Sequence, residues 1–477
     1  MKLIHLLDNL AGSSLSWKMY GMTNRQVKGV YCDSRLVKKA GLFVAIKGLH
    51  VDAHSFIDQV LDKGVSVVVG ERTPTKKWLQ KVTYIRVNNS RLALGLIASW
   101  WFGNPSKKVR VIGVTGTDGK TTTCNFIYSI LTASGQKTGL VTSINAKIGA
   151  KSFDTGFHVT NPDQIQLQRY LYLMARAKCK FAVLEVTSHG LDQERVAGIK
   201  FHLGLVTNIT HEHLDYHKTY AKYLAAKARL LQLADIVVLN KDDKAYTRLK
   251  NWVQQDYVTF SLSNNFLTRE AKAHLSRFFP GSYNMSNALG AAVVCRELGL
   301  SNQQITAGLL SITKVFGRAE KVHNTRGINL LIDFAHTPNA LKNVLLMIRK
   351  QTKGRLICVF GCASERDNSK RPIMGYIASK YADVAIFTAE DPRNESVEKI
   401  MQEMALGALE DSTIVKIADR GRAIWYAINK VAQRGDTVVL CGKGHERSMA
   451  IGGIEYPWSD HKALEYALVN KALKINK

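Results

Sequence analysis

Short apolar runs alternate with amphipathic stretches along the 477-residue chain, and this alternation predicts a layered α/β protein. Runs at Leu42–Ile46, Val65–Val69 and Tyr84–Val87 read as strands, and Ser55–Lys63 and Ser90–Trp101 carry helical spacing. An amphipathic patch covers Leu3–Leu10. Gly103-Asn104-Pro105-Ser106-Lys107-Lys108 has the composition of a linker. Beyond it, Val109–Val114 predicts a strand and Thr122–Thr132 a helix. Further strands are expected at Phe181–Glu185, Leu203–Asn208 and Ile236–Asn240, with helices at Tyr220–Gln232, Met285–Leu298 and Gln303–Leu310. A last set of strands, Ile328–Asp333, Arg355–Phe360, Val384–Thr388 and Thr437–Cys441, again alternates with helices. The expected organisation is three segments, 1–105, 106–320 and 321–477, with a doubly wound parallel sheet in the central one and a second α/β sheet in the last. There is no low-complexity tract and no solenoid repeat.

Charge and cysteine content narrow the partners. Lys and Arg number 66 against 38 Asp and Glu, a formal charge of +28. The basic residues are spread along the chain, and no nucleic-acid-binding module is recognisable, so a solvated basic surface and an anionic small-molecule substrate are expected rather than nucleic acid. The seven cysteines are scattered, which argues against a disulfide framework. Cys358 and Cys362 lack the second pair that a zinc site needs. No apolar run reaches the roughly 18 residues of a membrane span, and Met1–Gly12 lacks the apolar region of a signal peptide; a cytoplasmic protein without membrane insertion is expected.

The densest chemistry lies at Gly113-Val114-Thr115-Gly116-Thr117-Asp118-Gly119-Lys120-Thr121-Thr122-Thr123, between a predicted strand and a predicted helix. Backbone N–H groups of such a turn cradle phosphate oxygens, helped by the helix N-terminus. Lys120 supplies a cation for the β- and γ-phosphates, and the Thr121 hydroxyl can hold Mg²⁺. Glu185 ends a predicted strand on the side where α/β sheets bind ligands, well placed for Mg²⁺ beside the phosphates. In Thr207-Asn208-Ile209-Thr210-His211-Glu212-His213-Leu214-Asp215-Tyr216-His217, the histidines His213 and His217 are one helical turn apart, but the H-E-x-x-H zinc pattern is absent. Lys227, on its own, reads as a surface lysine. In the last segment, Asp333-Phe334-Ala335-His336, Gly361 to Asp367, Glu390-Asp391-Pro392-Arg393 and Gly442-Lys443-Gly444-His445-Glu446 each follow a strand, and polar loops at successive strand ends build a ligand site.

Taken in order, these motifs resemble the Mur ligase family over nearly the whole chain, in particular the members that add the third residue of the peptidoglycan stem peptide. Cys32-Asp33-Ser34-Arg35, Phe43 to Gly48 with Asp52 and His54, Thr160-Asn161-Pro162-Asp163, Glu185 to Arg195, His213 to Lys227, Tyr283-Asn284 with Ser286-Asn287, and Gly317-Arg318 carry the resemblance with the phosphate loop. It implies a UDP-sugar-binding N-terminal domain, a central ATP-binding domain and a Rossmann-like C-terminal domain that binds the incoming amino acid. It also implies ATP-dependent amide formation through an acyl phosphate, joining a diamino acid to UDP-MurNAc-dipeptide, in a protein expected to act as a monomer. The resemblance places Gly116, Thr117, Asp118, Gly119, Lys120, Thr121, Thr122, Asn287, Arg318, Asp333 and His336 around ATP. It places Thr121 and Glu185 on one Mg²⁺, and Glu185, His213 and a carbamylated Lys227 around a second. Ser34 and Arg35 are expected at the uridine diphosphate, and Thr160, Asn161, Thr187, Gln193 and Arg195 at the muramoyl dipeptide. Arg366, Glu390, Asp391, Arg393, Gly442 and Glu446 are expected at the amino acid.

Departures bear on the amino acid. Asp391 stands where diaminopimelate-adding members usually carry Asn, and adds negative charge that favours the bare ammonium of lysine. Arg393 and Arg366 remain for a distal carboxylate, which favours meso-diaminopimelate. Competing readings are the same ligase adding L-lysine, a folylpolyglutamate synthase-like ligase, and a nucleotide-dependent nucleic-acid-binding protein. The Asp33-Ser34-Arg35 segment argues against the folate enzyme, and the set Lys120, Glu185, His213 and Lys227 argues against the last.

Overall fold

Three sheets occupy successive stretches of the chain. The computed structural model describes residues 1–48, 51–154, 161–210 and 212–475. The first sheet runs in the order Trp17–Tyr20, Thr83–Val87, Val67–Gly70, Leu42–Val44, Val30–Tyr31. Its pairs are parallel except for the antiparallel edge strand Trp17–Tyr20, which the apolar pattern did not mark. The helix Ser90–Trp101 packs its Leu94, Ile97 and Trp100 onto this sheet.

The central sheet has eight strands. The parallel order is Tyr257–Phe260, Ala234–Asn240, Phe201–Val206, Arg110–Thr115, Phe181–Glu185, Thr138–Val141, and an antiparallel hairpin, Ala146–Ile148 with Lys151–Phe153, extends one edge. Val111, Ile112 and Val114 are fully buried because helices cover both faces, which is why the strand reads as a continuous apolar run. The helices Lys120–Ala133, Ser282–Glu297 and Asn302–Leu310 pack on one face, with Phe126 meeting Phe279 edge to face at 5.0 Å. Helix Tyr220–Leu233 covers the other face.

The third sheet runs Glu320–Val322, Asn329–Ile332, Thr437–Leu440, Leu356–Phe360, Val384–Phe387, Thr413–Lys416, parallel apart from its first strand. The chain is thus α/β throughout, with a phosphate-loop sheet between two smaller α/β units. No helix among the described residues is long and apolar enough to cross a membrane.

One expectation is corrected here. The stretch Gly103 to Lys108 is not a free linker: Pro105–Lys107 forms a 3-10 turn with Pro105 and Ser106 buried, and Ser106 Oγ accepts from the Lys200 N–H at 3.1 Å. Close by, a Cβ on Gly95 would lie 2.4 Å from the Ala197 Cβ, and Ser99 Oγ donates to the Gly198 carbonyl at 2.9 Å. The first unit is therefore docked on the central one through a backbone approach that a side chain at 95 would block.

Candidate active site

The carboxyl ends of the central and third sheets face each other across one cleft of about 880 Å³. Thr117 to Thr122, Glu185, Thr187, Glu212 and His213 line it from the central unit. Asp333, His336, Arg366, Glu390, Asp391, Arg393, Gly442 and Glu446 line it from the third, Asn287 from the helix Ser282–Glu297, and Arg318 from the junction just before the third sheet's first strand Glu320–Val322.

The phosphate loop joins strand Arg110–Thr115 to helix Lys120–Ala133. Two glycines are obligatory. A Cβ on Gly116 would lie 1.9 Å from Thr207 Oγ1, and Gly119, at φ +83°, brings the loop so near Asn287 that a Cβ would lie 2.3 Å from Oδ1. The loop is pinned from the neighbouring strand: the Thr117 N–H donates to the Asn208 carbonyl at 2.7 Å, and the Asp118 N–H to Asn208 Oδ1 at 3.0 Å. Lys120 Nζ donates to the Thr117 carbonyl at 2.8 Å. The Gly116 carbonyl accepts from Lys227 Nζ at 2.5 Å.

Glu185 is buried, and its Oε2 accepts from Thr121 Oγ1 at 2.9 Å, from the Ser143 N–H at 3.1 Å and from Ser143 Oγ at 3.2 Å. Arg318 donates to Thr121 Oγ1 at 3.1 Å. His213 holds a left-handed backbone at φ +56°, uncommon for a residue with a side chain and a sign of a constrained position. Burial, set against the Glu212 charge, pushes its imidazole down to about 3, so it is neutral. His189 meets it ring to ring at 4.7 Å.

Lys227, which resembles a surface lysine in sequence, is 1% exposed. Its Nζ lies 4.6 Å from the centre of the Tyr223 ring. Burial first, then the nearby Lys120 charge, drives its amine well below the ordinary lysine value.

Several predicted residues are placed differently from expectation. Asn161 does not face the cleft. It is 1% exposed, donates to the Glu185 carbonyl at 2.6 Å and accepts from the N–H and hydroxyl of Thr187, both at 2.8 Å, so it braces the strand end that carries Glu185. Gln193 accepts from Arg195 at 2.9 Å, and Arg195 donates to the Asn161 carbonyl at 2.5 Å, outside the cleft lining. Arg35 pairs bidentately with Asp33, Nη2 to Oδ2 at 2.7 Å, on the first unit, and the buried Ser34 offers its carbonyl to Lys63 at 2.8 Å. Thr160 lies outside the described residues. Asp333 spends its oxygens on the N–H groups of Ala319 and Ala335, at 2.6 and 2.7 Å. Asp391 and Glu446 share the fully buried Lys443, at 2.8 and 2.5 Å. Lys443 thus offsets one of the two negative charges that Asp391 and Glu446 bring, and the charge expected of Asp391 is met by a partner from its own domain. Arg393 donates to the Ser364 carbonyl.

Glu212 has no role in the sequence reading, where His213 and His217 are the residues of that run that suggest chemistry. It is buried between His213 Nε2 at 3.5 Å and His336 Nε2 at 3.2 Å, and so ties the third unit to the central one. Asp118 does the same: it accepts from Thr337 Oγ1 at 3.3 Å and from Asn339 Nδ2 at 2.9 Å, at the start of the helix Pro338–Arg349. A carboxylate at that helix end is favoured by its dipole.

Comparison with known proteins bears on this arrangement. The Mur ligase family catalytic domain matches residues 26–100, the Mur ligase middle domain residues 114–295, and the Mur ligase glutamate ligase domain residues 317–444. The chain belongs to the Mur ligase family.

Among curated relatives of this Mur ligase, a UDP-N-acetylmuramoyl-L-alanyl-D-glutamate–2,6-diaminopimelate ligase of Aquifex aeolicus is 39% identical, over 93% of this chain and 94% of its own. A protein of Clostridium acetobutylicum with the same activity in its name is 37% identical, over 91% and 92%. A solved structure of a ligase with that name superposes with a TM-score of 0.62 at 27% identity, covering 94% of this chain and 96% of its own. Family membership makes the chain an ATP-dependent amide ligase.

In this Mur ligase Asp118 and Glu212 tie the phosphate-loop side of the cleft to Thr337, Asn339 and His336 of the third domain. Burial alone would lower His336, but the Glu212 hydrogen bond and charge outweigh it and raise its imidazole above the ordinary value. A raised value stabilises the paired state below the free-histidine range near pH 6.5, and that contribution is lost as pH rises through the shifted value. The fraction of closed molecules, followed by the distance between spin labels on the two domains, should therefore fall as pH rises from about 6.5 through the raised His336 value. His336→Gln should abolish that dependence; an unchanged slope in the variant would show that another group governs closure.

Proposed function

We propose that this Mur ligase joins 2,6-diaminopimelate to the D-glutamyl γ-carboxylate of UDP-MurNAc-L-Ala-D-Glu, with ATP and Mg²⁺. The observation that carries the reading is a cleft lined both by the phosphate loop and by Arg366, Glu390, Asp391, Arg393 and Glu446 of the third domain. The carboxylate oxygen attacks the γ-phosphorus, ADP leaves, and the resulting acyl phosphate is the electrophile for the amine. Lys120 needs only to leave the Thr117 carbonyl to meet the phosphates. Arg318, already at Thr121, adds a second cation on the same side.

The residues fit the metal. Thr121 Oγ1 and Glu185 Oε2 are 2.9 Å apart, close to the separation of adjacent oxygens in an octahedral shell of about 2.0–2.1 Å radius. These two would hold one Mg²⁺, and Glu185, neutral His213 and Lys227 as its carbamate would hold a second. Bound there, the metal would offset the negative charge of the phosphates. The depressed Lys227 amine supports the carbamate, because only an uncharged amine attacks CO₂, with loss of a proton from nitrogen. That modification would turn a cation into an oxygen ligand.

Diaminopimelate is favoured over lysine by charge. Lys443 cancels one of the two charges on Asp391 and Glu446, while Arg366 has no hydrogen bond or ion pair among the described residues. Arg393 lines the same cleft. A distal carboxylate then has a guanidinium to meet.

With UDP-MurNAc-dipeptide, ATP and Mg²⁺, and the two diamino acids competing at equal concentration, the diaminopimelate product should exceed the lysine product by about 10–100-fold, the discrimination expected of one charged hydrogen-bonded contact. Lysine product in excess would reverse the assignment, and phosphate release with folate and glutamate instead would point to the folate enzyme. Lys227→Ala should lose about 10²-fold or more in kcat with its circular dichroism intact, and short carboxylic acids should restore part of the rate. Full activity without added acid would reject the carbamate.

A further inference from the structure

Among the carboxylates that line the cleft from the third domain, one is set apart. Asp333 accepts two backbone N–H groups, Asp367 accepts from Ser369, and Asp391 and Glu446 share Lys443. Glu390 makes no hydrogen bond or ion pair with any described residue, and its Oε2 is a buried atom without a partner. An unpaired buried carboxyl is costly, and the fold goes to some length to keep this one.

Two glycines make room for it. Glu390 follows the strand Val384–Phe387, and its side chain reaches across the end of Leu356–Phe360 toward the end of Thr437–Leu440. A Cβ on Gly361, at the intervening strand end, would lie 2.8 Å from Glu390 Cβ. A Cβ on Gly442 would lie 2.0 Å from Oε2. Arg420, fully buried on Asp460 at 2.7 Å, donates to the carbonyls of Ala389 and Cys441 at 3.3 and 2.9 Å. Those residues immediately precede Glu390 and Gly442, so the clamp fixes the carboxyl against the cleft wall. An ionised carboxyl offers no donor to the carboxylate and phosphate oxygens of the substrates, and repels them. An ammonium donates to it and carries the opposite charge.

We propose that Glu390 is the proton acceptor that frees the incoming amine for attack, a catalytic part that rests on the ligase reading above. Its carboxylate takes one proton from the substrate ammonium. The nitrogen lone pair forms the C–N bond at the acyl phosphate carbonyl, the bond from that carbon to the phosphate oxygen breaks, and the second nitrogen proton leaves with inorganic phosphate. Glu390 returns its proton to water. Burial raises the carboxyl to about 7, against the charges of Lys370, His336 and Arg420 and with that of Asp391, which suits a group that must be ionised before the step and protonated after it. The Cys362 thiol, also facing it, is pushed up to about 12 by burial and stays neutral.

Hydroxylamine separates this role from binding and from acyl phosphate formation, because it is largely uncharged near neutrality and traps acyl phosphates without a base. With UDP-MurNAc-dipeptide and ATP, Glu390→Gln should slow diaminopimelate transfer by about 10²-fold or more, while hydroxamate formation stays within about threefold of the native rate. In the native enzyme, the ratio of saturated diaminopimelate rate to hydroxamate rate should fall as pH drops below about 7, and this measurement needs no variant. Equal losses with both nucleophiles, no loss at all, or a flat native ratio would overturn the proposal. Absence of hydroxamate from the native enzyme would instead overturn the ligase reading itself, and this inference with it.

Discussion

The cleft is governed by repulsion between anions. A substrate carboxylate must touch the γ-phosphate of a triphosphate, and two unit charges 4 Å apart repel by about 4 kcal/mol in a partly buried site. The molecule answers by converging cations and helix ends on one point. Lys120 donates to the Thr117 carbonyl and Arg318 to the hydroxyl of Thr121, the residue that follows Lys120, so both cations meet the same loop. Lys227 is the exception that supports the rule. Burial and the positive Lys120 disfavour its charge, and an uncharged amine is the form that can be converted into a metal ligand.

Concentrating charge this way requires two domains, because no single sheet end carries all the groups. Asp118 and Glu212 reach from the central sheet to Thr337, Asn339 and His336 on the third domain, and Arg318 reaches back to Thr121. These polar contacts sit at the reacting point rather than in an apolar interface, so closing the cleft and assembling the site are the same event. Excluding water there strengthens each remaining interaction. On the proposed reading, the loops of the third domain bring the amine to a carbonyl activated at the phosphate loop, which is the proximity such a transfer needs.

Much of this was legible in the sequence. The strand, glycine turn and helix around Lys120 announce themselves because close packing and phosphate geometry admit few residues there. Parallel strands buried on both faces read as apolar runs, whereas the edge strand Trp17–Tyr20 and the hairpin Ala146–Phe153 are short and half polar, and left no such mark. Partnering was not legible at all. The pairing of Asp391 with Lys443, the bracing part of Asn161 and the burial of Lys227 each depend on residues far away in the chain. Glu212 was hidden by its neighbours, because a carboxylate between histidines suggests a metal motif before it suggests a tie between domains.

The central claim, activation of a carboxylate by phosphoryl transfer, can be read from the fate of one oxygen. With UDP-MurNAc-dipeptide labelled with ¹⁸O in the glutamyl γ-carboxylate, mass spectrometry of the inorganic phosphate should find one labelled oxygen for each amide bond formed. Unlabelled phosphate released in step with amide would contradict the account, because the carboxylate oxygen would then never have been bonded to phosphorus.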